Sequence, residues 1–121
     1  MRWMMLSRAV LAFVAATMFA SAGQAHAILV DSQPPLHGTL PAGTVAIRLQ
    51  FNSRIDRSRS ILTLVASSGS PQRLPIGAEA PPDVMAAQAT LGPGAYVLRW
   101  QVLAVDGHIT RGDVSFTAAA P

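Results

Sequence analysis

The sequence predicts an all-β fold, an immunoglobulin-like or Greek-key antiparallel β-sandwich of about seven strands, and three observations carry that expectation. Short runs rich in Val, Ile, Leu, Thr and Tyr recur between clusters of Gly, Pro, Ser, Asn and Asp. Two of those runs alternate apolar and polar residues with period two. No apolar pattern at helical spacing persists over three turns. A small closed barrel is the architectural alternative.

The strands are expected at residues 27–31 (AILVD), 44–51 (TVAIRLQF), 60–66 (SILTLVA), 72–76 (QRLPI), 84–91 (VMAAQATL), 95–104 (AYVLRWQVLA) and 112–118 (GDVSFTA). Between them lie SQPPLHG, LPAG, SSGSP, GAEAPPD, LGPG and DGH, whose residues supply or fix turn geometry. In the second run Val45, Ile47, Leu49 and Phe51 share one face, opposite Arg48 and Gln50. In the sixth, Tyr96, Leu98, Trp100 and Val102 oppose Arg99 and Gln101. Trp100 and Phe116 are the expected core plugs. VMAAQA has the propensity for a helical turn but is too short to change the class. With no internal repeat and no long linker, one domain is expected.

That domain is preceded by a three-part leader. Arg2 and Arg8 give a basic start, Ala9 to Ala20 form an apolar run too short to span a bilayer comfortably, and small residues follow. Residues 1–25 are therefore expected to be a cleaved export signal, and residues 26–121 a soluble exported domain. The cleavage rule alone leaves the cut open between Ala22, Ala25 and Ala27.

Beyond residue 25 seven arginines face six acidic residues, a net charge of about +1 that gives no support for a nucleic-acid partner. The cluster Arg54, Arg57 and Arg59 is interrupted by Asp56 and is expected to be a solvated turn. The absence of cysteine excludes disulfides, a lipidated cysteine and thiolate metal sites. Any metal would have to use imidazole, carboxylate or amine ligands.

Three histidines are present, His26, His37 and His108. In VLAVDGHITRG, Asp106 and His108 stand two residues apart, so that in extended backbone their side chains would project from one face. Alone this motif is weak, because an Asp-Gly turn with the carboxylate on local amides is common. A cut after Ala25 strengthens it. A terminal His26 would offer its amine and ring Nδ1 as a chelate, and with His108 and Asp106 the set becomes three nitrogens and one oxygen. Such donors suit tetragonal Cu(II), although Zn(II) could use them in a tetrahedral arrangement. Asp106 and His108 would thus be an incomplete site that His26 completes. His37, in a Pro- and Gly-flanked loop, is expected to be solvent-exposed, and Arg111 and Asp113 to be strand-face charges.

HAILVDSQPPLHGTLP, IRLQFNSRI and PGAYVLRWQVLAVDGHITRGDVSF together resemble the periplasmic copper-resistance proteins of the CopC family, over essentially the whole of residues 26–121. The resemblance implies a β-sandwich binding one Cu(II) per monomer through the N-terminal amine and imidazole and the Asp and His of D-x-H. Those roles fall on His26, Asp106 and His108. It also implies delivery to an inner-membrane CopD-like copper transporter. Two departures stand out. Some members hold Cu(I) in a methionine-rich loop, whereas Met85 is the only methionine here outside the leader, which implies a Cu(II)-only member. In FNSRI, Ser53 and Arg54 take the places where many relatives carry Glu and Pro. Two other functions compete. One is a histidine-brace copper monooxygenase, which would need an exposed aromatic platform; the other is a metal-free sandwich serving as an interaction module.

Overall fold

The computed structural model describes residues 26–121; the expected leader lies outside the described residues. Eight strands form: β1 (Leu29–Gln33), β2 (Thr39–Pro41), β3 (Gly43–Phe51), β4 (Ile55–Ala66), β5 (Gln72–Arg73), β6 (Val84–Leu91), β7 (Gly94–Ala104) and β8 (Ile109–Ala119). They make a three-stranded sheet in the order β1-β3-β6 and a five-stranded sheet in the order β2-β8-β7-β4-β5. Consecutive strands repeatedly change sheet, from β3 to β4, β5 to β6 and β6 to β7, which is the crossing pattern of a Greek-key sandwich.

The two faces that meet are the ones the alternation marks. Ile47, Leu49 and Phe51 on β3 oppose Leu62 and Leu64 on β4, Leu98, Trp100 and Val102 on β7, and Val114 and Phe116 on β8, all buried. Each fully buried Leu, Ile or Phe contributes about 1.5–3 kcal/mol over its exposed state. Phe51 and Trp100 meet edge to face at 5.1 Å across the sandwich, an arrangement the ring quadrupoles favour. Met85 is fully buried, as expected of a core residue.

Three expectations are corrected. β2 is a strand within what reads as turn sequence, and it pairs in parallel with β8 through Thr39↔Thr117 and Pro41↔Ala119. A three-residue strand containing a proline carries no readable alternation, and an edge position tolerates the missing donor. β5 is cut to two residues because Pro75 cannot donate to the ladder. The third correction concerns "SRIDRSRS", which is not a solvated turn. The turn is confined to residues 52–54, and β4 begins at Ile55. A register shift between Asp56 and Ile61 absorbs the polar run. Ser60 bridges the bulge, donating to Asp56 C=O at 2.6 Å and accepting from Leu103 N–H at 3.2 Å. Arg57 is a clamp: its guanidinium donates to the carbonyls of Ala78 (3.0 Å), Ala80 (2.6 Å) and Pro81 (2.7 Å), tying the β5–β6 connection to β4.

Candidate metal centre

β7 and β8 form the longest hairpin, and its turn carries the motif. Gly107 N–H donates to Ala104 C=O at 2.9 Å and Ala104 N–H to His108 C=O at 2.8 Å. Gly107 has φ +90°, so the turn closes with a left-handed residue, as hairpins of this length commonly do. A Cβ there would meet nothing within 4 Å, so the demand for glycine is one of backbone conformation. Asp106 and His108 therefore meet through turn geometry and not through the extended i, i+2 projection expected from sequence.

Their contact is close. Asp106 Oδ1 accepts the His108 backbone N–H at 3.1 Å, and Asp106 Oδ2 lies 2.7 Å from His108 Nδ1. The carboxylate thus closes the turn and aims the imidazole with the same group. Chiefly that backbone amide, then the His108 ring, holds the Asp106 carboxyl below its ordinary value, with the charges of His108 and His26 adding to the effect.

His26 arrives from the other end of the sequence. Its ring stands edge to face with that of His108, centroids 4.8 Å apart and planes at 70°. Ala27 behind it is fully buried in the core, and Ile28 is bonded to Asn52 at the end of β3. All three expected ligands are therefore gathered at one end of the sandwich. They are not a ready cage, since among the described residues no three acidic or histidine side chains stand together in a cluster able to hold an ion. In this conformation the Asp106 carboxylate is directed at His108 itself.

The remaining candidates lie elsewhere. His37, at φ +58°, donates its backbone N–H to Ser115 and lines a groove with Tyr96 and Phe116. Tyr96 is eight residues back along β7 from Ala104, which is roughly 27 Å of extended strand. Asp113 pairs with Arg99 at 4.0 Å and Arg111 Nε donates to Gln101 at 2.7 Å, so both are strand-face charges, as expected. Arg54 is exposed on the β3–β4 turn, and Ser53 Oγ beside it is buried with no hydrogen-bond partner. Sequence reasoning stopped at Ser53 and Arg54 and passed over Asn52, whose only signal is an Asx residue directly after a strand.

Comparison with known proteins agrees with this architecture. A crystal structure of CopC from Methylosinus trichosporium OB3b is 26% identical, with a TM-score of 0.69, covering 78% of this chain and 95% of that one. The crystal structure of PcoC, a methionine-rich copper resistance protein from Escherichia coli, is also 26% identical, with a TM-score of 0.67, covering 78% of this chain and 99% of that one. Protein YobA of Escherichia coli K12 is 25% identical over 91% of this chain and 92% of its own length. The CopC domain model matches residues 29–119, nearly the whole described fold, and the chain belongs to the CopC family.

Proposed function

We propose that this protein is a periplasmic Cu(II) carrier serving copper resistance, binding one ion through the amine and imidazole of His26, the carboxylate of Asp106 and the imidazole of His108. The observation that carries the proposal is the 4.8 Å approach of the His26 and His108 rings beside a carboxylate already bonded to one of them. A solitary structural histidine needs no such neighbour. Nitrogen and oxygen donors of this kind rank Cu(II) first among the divalent ions. PcoC, which shares this fold, is a copper resistance protein. Binding through Asp106 would exchange its hydrogen bond to His108 Nδ1 for a metal–oxygen bond, a modest side-chain movement on an exposed turn.

The burial of Ala27 argues against a cut after Ala27. A cut after Ala27 would remove a residue packed in the core, whereas a cut after Ala25 keeps it and frees the amine of His26. Exposed Val105 and Ile109 flank the Asp106–His108 turn. Asp106 and His108 therefore sit on an exposed turn, which suits surrender of the ion to a CopD-like transporter in the inner membrane. The monooxygenase reading is less favoured, because Phe51, Trp100 and Phe116 are buried and Tyr96 is half-buried, so these four rings offer no exposed aromatic platform.

Electron paramagnetic resonance with one equivalent of Cu(II) tests the proposal on the processed protein, His26→Ala and His108→Ala. A single tetragonal signal with coupling to three nitrogens is expected, with one imidazole nitrogen lost in His26→Ala, which keeps its terminal amine but not the chelate, and one in His108→Ala. Identical spectra from all three proteins would refute it.

A further inference from the structure

His26 would reach the site from a chain end, and chain ends fray unless something ties them down. Besides the buried Ala27 methyl there is, among the described residues, a polar tie. Ile28 N–H donates to Asn52 Oδ1 at 2.8 Å, and Asn52 N–H donates to Ile28 C=O at 2.9 Å. The register explains this pairing. Leu29 faces Phe51 where β1 and β3 pair, so the next antiparallel couple is Ile28 with Asn52, and in a hydrogen-bonded couple each residue gives one N–H and takes one. The chain leaves β3 at Phe51 and is turning toward β4 at Asn52. The bond Ile28 donates goes to the side-chain oxygen, a substitution Asn and Asp make readily because they carry a carbonyl-type oxygen one carbon beyond Cβ.

We infer that Asn52 is a positioning residue for His26. Its clasp extends the β1–β3 ladder by one pair beyond the last strand residues, and so fixes the chain two residues from the ring that must face His108. This rests on the proposal that His26 binds copper. Without the clasp, the ladder would end at Leu29, and copper binding would have to order the residues in front of it at an entropic cost.

The test titrates Cu(II) against a competing chelator on exported protein whose N-terminus is verified by intact mass. Asn52→Ala, Asn52→Asp and Ile28→Pro are each made with His26 intact and with His26→Ala. Asn52→Ala is expected to weaken Cu(II) binding about tenfold or more, the usual cost of removing a group that orients a ligand. Ile28→Pro deletes the same N–H from the other partner, with its side chain already exposed, and is expected to give a similar loss. Asn52→Asp keeps the acceptor and should recover most of the affinity; the His26→Ala background subtracts whatever its added charge does. In that background, where only the terminal amine is left to be held, Asn52→Ala should cost much less. Full affinity in Asn52→Ala, or an equal loss with and without His26, would overturn the inference alone. Unchanged affinity and spectra in His26→Ala would overturn the ligand assignment and the inference together.

Discussion

Replacing Gly112 with alanine is expected to lower the melting temperature by roughly 4–16 °C while leaving the Cu(II) spectrum unchanged. Gly112 lies opposite Trp100 in the β7–β8 register. A Cβ at this position would stand 2.4 Å from Trp100 Cζ2, 2.7 Å from Cε2 and 3.0 Å from Nε1. Non-bonded side chains do not approach so closely, so the indole must move by about 1 Å to regain the ~3.5–4.0 Å optimum for carbon contacts. It has little room, being 7% exposed and set against Phe51. Overpacking of this kind costs about 1–3 kcal/mol. Reduced freedom of the unfolded chain returns about 0.4–1 kcal/mol. With an overpacking cost near the middle of its range, about 2 kcal/mol, the net loss is about 1–2 kcal/mol, and each kcal/mol is worth roughly 4–8 °C in a domain of this size. Thermal unfolding followed by far-ultraviolet circular dichroism measures the shift. Near-ultraviolet dichroism reports on Trp100, the only tryptophan among the described residues. An unchanged or raised melting temperature would mean that the Trp100–Gly112 contact does not confine the ring.

Three further outcomes are expected. Arg57→Ala should cost about 2 kcal/mol in urea denaturation by unlatching the carbonyls of Ala78, Ala80 and Pro81, and Arg57→Lys should recover less than half of this, since an ammonium lacks the guanidinium fork. The Ser58 hydroxyl, at 2.7 Å, and then the backbone amide and charge of Arg59 hold the Asp56 carboxyl below its ordinary value. A depressed folded pKa stabilises above the unfolded value near 3.8 and ceases to do so as pH falls through the folded one. Asp56→Asn should therefore be less stable than wild type at pH 7, with the gap closing toward pH 2 in melts run across that range. Cu(II) affinity should fall steadily from pH 8 to pH 5, because the terminal amine, with a reference pKa of roughly 7.7–8.0, and then the imidazoles must lose protons to bind; a flat profile by competition titration would rule out the amine-and-imidazole site.

The fold was legible wherever one face of a strand is buried. Val45 to Phe51 and Tyr96 to Val102 state their register in sequence because a one-residue slip would turn Leu49 or Trp100 to solvent. β2 was not legible, since its three residues depend on pairing with the far end of β8. The start of β4 was hidden for a different reason: the bulge at Asp56–Ile61 breaks the alternation just where Ile55 returns to the core. Arg57 then looked like one more surface cation, because backbone carbonyls leave no trace in a charge pattern. A guanidinium answered only by carbonyls is invisible to any search for acidic partners.

The candidate centre divides along the same line. Donor chemistry is written in residue types, so His26, Asp106 and His108 could be proposed from sequence, and the structure places them at one end of the sandwich. What holds them there is written in backbone bonds. Asp106 serves two ends at once, closing its own turn on the His108 amide and aiming the ring. The common structural reading of an Asp-Gly turn is therefore correct and does not compete with the functional one. The same economy operates at the other end of the chain, where Ala27 fills the core and Asn52 receives the Ile28 amide. Both imidazoles are thus held by local backbone bonding on exposed segments. In the proposed Cu(II) site Asp106 would be the one anionic donor and the exposed turn would give access, and both features would suit a carrier that releases its ion.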